Sequence, residues 1–310
     1  MVSKVLVETI DKKSFVDIPA CVPAVKFPLP KVGITNRPHY IHVQDPFTDE
    51  ATRLFSKIEV FFNLPANQRG LHMSRIEECL HDISTEKELS LIDWIDKFSE
   101  QLLKKQKQQK CIVQLDTQYE KTTKKNQSQI ISNELINLHT AITRDKATTS
   151  TCIGVTVPFI NACPCTQRWG MRDFHKKLLD AGYDQATAEE LMHMAPLQAH
   201  TNLGKATLKI HSADITHSQI YDLLDNSVPI VRELLKGMDE HGLVKQAHQK
   251  GQFCEDNARA IVQAVCHELD GLIENDVLIE ISVKVEESVH FHNLYAEIVS
   301  TFGNLKENLE

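Results

Sequence analysis

The stretch Val277 to Ile298, VLIEISVKVEESVHFHNLYAEI, constrains the fold more than any other part of the chain. Ile279, Ile281, Val283 and Val285 fall on one side of an alternation whose other side is Glu280, Ser282, Lys284 and Glu286. A period of two in a β-branched run specifies a strand with one buried face. The pattern then breaks. Glu287, His290 and His292 arrive within six residues, before a second alternation at Leu294, Ala296 and Ile298. A bulge or tight connection at such a break re-aims side chains into a cleft. Read alone, the segment is a polar hairpin end with two surface histidines. Cys163-Pro164-Cys165 and His200, far upstream, bring metal and proton chemistry into question.

At 310 residues the chain can bury a sizeable core and hold one large or two medium domains. Thirty-four Lys and Arg against 42 Asp and Glu leave a net charge of −8. That balance argues against nucleic acid as a general partner, though not against a local pocket for one nucleotide. The eight cysteines are scattered, so no disulfide framework is expected. The N-terminal MVSKVLVETIDKK lacks the apolar core of a signal peptide, and no run nears the ~18 apolar residues that span a bilayer. The expectation is a reduced, cytoplasmic protein with no membrane partner.

Taken in order, residues 1–36, with Pro19, Pro23, Pro28 and Pro30, read as an extended arm with little regular structure. Tyr40–Val43 and Ser56–Phe62 read as strands. Thr85 with Glu88 makes a capping box for a helix carrying Leu91, Ile92, Ile95, Phe98, Leu102 and Leu103. Strand-like runs follow at Cys111–Glu120, Gln129–Thr143 and Thr148–Ile160, with Lys121–Asn126 a solvated turn. A helical insert spans 167–194, its first helix closed by Gly182. Leu203–Ser212 returns to strand. Thr216 or Ser218 caps a helix to Asn226, Pro229 opens another to Lys236, and Gln252–Leu272 carries the clearest helical stripe. This order suggests two similar halves, 37–146 and 147–310, each an antiparallel sheet with helices on one face: an α+β architecture. His72 and His200, each placed just before an expected strand, are a faint echo between the halves.

Taken singly, the chemical residues have plain readings. Cys163-Pro164-Cys165 is not the CxxC of a structural zinc site. One thiolate with histidine and carboxylate would instead leave an open position for water, as catalytic zinc sites do. Glu240 reads as a solvated loop acid between helices. Glu255 opens the Gln252 helix, where the macrodipole favours a carboxylate anyway.

Three segments, in order, change the weighing. Gly70-Leu71-His72-Met73-Ser74-Arg75, the Val157-Pro158 strand end leading to Cys163-Pro164-Cys165, and Glu287-Ser288-Val289-His290-Phe291-His292-Asn293-Leu294-Tyr295-Ala296-Glu297 make the chain, from Gly33 onward, resemble the type IB GTP cyclohydrolases and the archaeal GTP cyclohydrolases of methanopterin synthesis. The resemblance implies a tunnelling fold of two ββααββ halves, assembled as a barrel-like homo-oligomer, a tetramer, with active sites between subunits. It implies that Cys163 and His200 hold a divalent metal, with Glu240 a further ligand or the holder of a bound water. His290 and His292 would line the site as ligands or proton donors. A glutamate would anchor the purine, Glu287 best and Glu255 second, and Arg75 or Lys205 would meet the triphosphate.

The metal is left open among zinc, manganese and ferrous iron, all of which accept such donors. The implied reaction hydrolyses the guanine imidazole ring of GTP with formate release, giving 7,8-dihydroneopterin triphosphate. The archaeal variant gives the 2′,3′-cyclic phosphate. A reading of another class is a non-catalytic purine- or pterin-binding oligomer. One departure matters: the bacterial pattern places the histidine soon after the CPC and follows it with Gln-Arg. Here residues 166–199, 34 in all, intervene, and Thr201-Asn202-Leu203 follow.

Overall fold

Alternating apolar rows build the sheet. In a computed structural model, which describes residues 17–86, 89–124, 127–194, 199–233 and 236–309, eight strands pair in chain order and every pair is antiparallel. They are β1 (Leu29–Gln44), β2 (Ala51–Leu64), β3 (Lys110–Thr123), β4 (Ser132–Asp145), β5 (Thr149–Ala162), β6 (Thr201–His211), β7 (Leu278–Glu286) and β8 (Asn293–Thr301). Helices α1 (Met73–Ile83) and α2 (Leu91–Gln106) lie between β2 and β3. The insert α3 (Pro164–Asp180) and α4 (Gln185–Met194) lies between β5 and β6. Helices α5 (His217–Ser227), α6 (Gly237–Gln249) and α7 (Cys254–Glu268) separate β6 from β7, and α8 (Phe302–Glu307) closes the chain.

The architecture is α+β, and the two expected sheets are one. β4 pairs with β5 from Asn137↔Thr156 to Arg144↔Thr149, so a single core runs through both halves. The rows Val113–Leu115, Ile136–Leu138, Val155–Val157 and Ile279–Val285 meet the stripes of α2, α5 and α7. Each fully buried Ile, Leu or Phe in that layer contributes roughly 1.5–3 kcal/mol of transfer free energy. Among the described residues no helix is long and apolar enough to cross a membrane, and all eight cysteines are free.

Several local expectations change. Residues 29–36, assigned to the extended arm, are the first half of β1; residues 1–16 lie outside the described part. Ser90, not Thr85, caps α2, accepting from the Asp93 N–H at 3.1 Å, while Thr85 bonds back to the Asp82 carbonyl at 2.7 Å. Glu88 lies outside the described residues. His72 precedes a helix, α1, and not a strand. Thr216 does cap α5, with Gln219 completing the box.

No helix opens at Pro229. Residues 229–233 instead fill a wedge where β4 diverges from β5. The Ile160 N–H donates to the Pro229 carbonyl at 3.1 Å, the Val231 N–H to Pro158 at 2.9 Å, and the Glu233 N–H to Asn133 at 2.9 Å. Two β-branched residues suit that extended path. Arg232 fixes it by bonding two carboxylates, Glu134 at 2.5 Å and Asp225.

Candidate functional site

The helix-facing rows are apolar along most of their length and turn polar at one end of the sheet. On β5 the row reads Ile153, Val155, Val157, Phe159, then Asn161 and, past the strand, Cys163. On β6 it reads Ile210, Leu208, Ala206, Gly204, then Asn202 and His200. On β7 it reads Ile279, Ile281, Val283, Val285, then Glu287. Asn161 pairs with Asn202, and Leu203 with Glu286, so these three row ends are neighbours. Gly204 lies opposite Phe159, and a Cβ there would sit 2.3 Å from the Phe159 ring, which the missing side chain admits.

The insert stands on this end. Cys163 is the N-cap residue of α3 with Pro164 at the first helical position, where a missing N–H costs nothing. The Cys163 N–H donates to the His200 carbonyl at 3.2 Å, so the two residues are backbone neighbours although 34 residues of insert and linker separate Cys165 from His200.

One amide organises the other groups. The Ser288 backbone N–H can only donate, and it reaches Asn202 Oδ1 at 2.9 Å. Asn202 Nδ2 is then the end that donates to Glu287 Oε1, at 2.9 Å. His200 Nδ1 lies 3.2 Å from the same Oδ1 and 3.3 Å from Ser288 Oγ. Facing a carboxamide oxygen, Nδ1 carries the proton, and the lone pair is left on Nε2. The second oxygen of Glu287, Oε2, is buried and has no hydrogen-bond partner among the described residues. A buried carboxylate oxygen without a donor is costly and marks a place for an N–H from outside.

The other expected residues lie elsewhere. His290 and His292 sit on the β7–β8 connection, exposed, their rings stacked with centroids 5.2 Å apart. Glu255 is exposed at the second position of α7. Glu240 belongs not to a loop but to the first turn of α6, exposed, because its neighbour Asp239 is buried and accepts from the Ser128 N–H and Oγ at 2.8 and 2.7 Å. The other end of α6 reaches the site, through His248 beside the Ala199 carbonyl, and Glu240 is about 12 Å back along the helix. Arg75 is in the first turn of α1, past the end of β2. The register Phe62↔Cys111, Cys111↔Arg144, Arg144↔Thr149 puts it where β5 begins, a strand length of roughly 40 Å from Cys163. Lys205 is exposed on the strand face opposite the row of Asn202.

For a divalent metal the donor chemistry fits in part. A thiol at Cys163 and an imidazole at His200, held through its other nitrogen, are the pairing such ions take. Among the described residues, however, no three His, Cys, Asp or Glu side chains of one chain are placed to hold an ion. Asn202, Asn161 and Asn257 went unread in the sequence. Asn257 donates to Asn161 Oδ1 at 3.2 Å, and all three are at least 95% buried. The signal was available: an asparagine standing on an apolar row of an alternating strand.

Sequence comparisons with known proteins point to one class. The chain is 30% identical over 313 residues to the GTP cyclohydrolase MptA of Methanococcus aeolicus, covering 96% of this chain and 100% of that protein. It is 26% identical over 303 residues to the GTP cyclohydrolase MptA of Halobacterium salinarum, covering 94% and 97%. A uricase from Arthrobacter globiformis matches in structure with a TM-score of 0.46 at 7% identity, over 87% of this chain and 93% of that one. The protein is an enzyme, a GTP cyclohydrolase. Residues 15–296 match the family model described as type I GTP cyclohydrolase folE2, and the chain belongs to that family.

Proposed function

We propose that this enzyme opens the imidazole ring of GTP at the sheet end formed by Cys163, His200, Asn202 and Glu287, acting as a type IB or archaeal-type cyclohydrolase in pterin synthesis. The observation that carries the reading is the buried, unpartnered Oε2 of Glu287, fixed beside His200 through Asn202. A carboxylate so placed accepts from the amino and ring N–H groups of guanine. The exposed Glu255 lacks that preorganisation, which favours Glu287 as the anchor.

Cys163 and His200 would hold a divalent metal, zinc, manganese or ferrous iron, which when bound supplies a water made nucleophilic at neutral pH. The chain's own part is to orient. His200 presents Nε2 because Asn202 holds Nδ1, and Glu287 sets the purine so that C8 faces the thiol and imidazole. His290 and His292, on the connection that begins at Glu287, would give and take back the ring-nitrogen proton. Water adds at C8, the ring opens, a second hydrolysis releases formate, and rearrangement of the ribose with loss of one water closes the dihydropterin ring. Glu240 and Arg75 lie far from Cys163 within one chain. That supports a tunnelling-fold homo-oligomer, a tetramer, in which another copy supplies the remaining ligand and a triphosphate contact.

The product of this reading is 7,8-dihydroneopterin triphosphate. A second reading, the 2′,3′-cyclic phosphate, is favoured by the α3–α4 insert and by the end-to-end match to archaeal proteins. Incubation with GTP, with formate quantified and the pterin weighed by mass spectrometry, tests both. Formate with a triphosphate selects the first product and formate with a cyclic phosphate the second. GTP returned intact by metal-loaded protein sinks the proposal.

A further inference from the structure

We propose that the helix-free face of the sheet carries a second ligand site, a polar cavity that takes a small oxyanion on Lys209. Cross-strand rows build it. Asp116, His139, Gly154, Lys209 and Glu280 are successive register partners from β3 to β7. The adjoining row is Gln114, Ala141, Cys152 and His211. The short side chains, Ala141, Cys152 and Gly154, stand in the middle of these rows, and the long polar ones flank them. The result is a cavity of about 320 Å³ with a floor of small residues. That volume falls at the low end of the range small-molecule sites occupy.

Gly154 decides where the lysine goes. A Cβ at this position would lie 2.6 Å from Cγ of Lys209 and 2.9 Å from the Leu208 carbonyl oxygen. The lysine stem therefore lies across β5 and buries the glycine, on a face where His139, Cys152 and Thr156 are only half-buried.

Its charge is left unanswered. Glu280 is the cross-strand partner of Lys209, yet Glu280 Oε1 lies 2.8 Å from His211 Nε2. Asp116 Oδ1 is likewise turned onto His139 Nδ1 at 2.5 Å, and His139 Nε2 faces Thr156 Oγ1 at 2.8 Å. Among the described residues Lys209 has no carboxylate within ion-pair distance, because both candidates are taken by imidazoles. A half-buried ammonium on a cavity wall is stabilised by a counterion, and here the counterion has to come from solution. Thr143 and Ser150, register partners that also line the cavity, add two hydroxyls. Such a set of donors suits a group with several acceptor oxygens, the phosphate or carboxylate of a small molecule.

The cavity is separate from the site described above. Gly154 lies nine residues before Cys163, roughly 30 Å at the rise of a strand, and Lys209 is on the face of β6 opposite Asn202. The inference therefore stands or falls independently of how GTP is held.

Inorganic phosphate and acetate are the probes, each followed by equilibrium dialysis against the full-length protein with chloride holding the ionic strength constant. Anion bound elsewhere on the chain contributes equally to wild type and variant, so the quantity read is their difference. Lys209→Met keeps a stem over Gly154 and removes the charge. Wild type is expected to hold about one phosphate per chain that Lys209→Met does not, the loss of a charge-assisted contact. Ala141→Leu keeps every charged group and fills the floor, and is expected to lose the same anion. Circular dichroism establishes that each variant is folded, and Ala141→Val takes the place of a leucine variant that is not. Acetate showing this difference where phosphate shows none would support the site and make its ligand a carboxylate. Overlapping curves for wild type and Lys209→Met with both probes overturn the proposal. A folded Ala141 variant that binds as wild type does also overturns it, since the anion would then sit outside the cavity.

Discussion

The backbone N–H of Cys163 donates to the carbonyl of His200 at 3.2 Å, so the chain leaves the β5–β6 ladder and returns to it at adjacent points. Everything between them is a closed excursion. α3 contributes no buried residue, and its main tie to the body is Gln167, bonded to the His248 carbonyl. Replacing residues 168–198 with a short Gly/Ser linker is therefore expected to leave the fold intact, with the melting temperature within about 4 °C, or about 1 kcal/mol. A thermal melt followed by circular dichroism checks this. A fall of more than about 10 °C would show that the insert belongs to the core.

The two thiols of the Cys-Pro-Cys run differ in placement. Cys163 is half-buried and backbone-bonded to His200, whereas Cys165 is exposed on the first turn of α3. Cys163→Ala is expected to lower the rate of formate release by more than about a hundredfold, beyond the cost of an outer-shell loss. Cys165→Ala should change it less than about threefold, since surface substitutions seldom disturb a structure. Equal losses in the two variants would remove the basis for assigning the ligand role to Cys163.

Much of the fold was legible because alternation and capping are local. The rows of β3–β7, the Thr216–Gln219 box and the stripe of α7 depend on neighbours within a few residues. The wedge at 229–233 was not legible. Pro229-Ile230-Val231-Arg232 suits a helix start or an extended path, and the choice is made by Glu134, 98 positions away, and by the gap between β4 and β5. In the site, Cys163, His200 and Glu287 could be named from the run of motifs. Asn202 could not, because its importance lies in what β7 brings beside it. Helix α1 also carries a local stripe, Ile76, Cys79, Leu80 and Ile83, directly after the histidine run.

The wedge makes its own prediction. Glu134 is fully buried, accepting from Arg232 Nε at 2.5 Å and from the Tyr221 hydroxyl, and burial together with that carboxylate pushes the tyrosine well above its ordinary range. Glu134→Ala leaves a buried guanidinium with Asp225 as its remaining carboxylate and frees the 229–233 segment. Breaking such a pair costs about 3–5 kcal/mol. Urea denaturation of Glu134→Ala against wild type measures it, and a loss below about 1 kcal/mol would mean that the wedge is held by its backbone bonds alone.

His217, the first residue of α5, is 4% exposed, and burial pushes its pKa down to about 4. Its Nε2–H donates to the His139 carbonyl at 3.2 Å and lies 3.1 Å from Thr140 Oγ1, a neutral imidazole closing α5 onto β4. The unfolded chain binds a proton at this side chain below about pH 6.5, whereas the folded chain does not until about pH 4. Its contribution to stability is thus complete above pH 6.5 and drains away as the pH falls towards 4. Between pH 7 and pH 5 the loss amounts to about 2 kcal/mol. His217→Gln retains a donor without a titrating group, so its urea midpoint should fall less over that interval than the wild-type midpoint does. Parallel slopes for the two proteins would show that other groups carry the acid sensitivity.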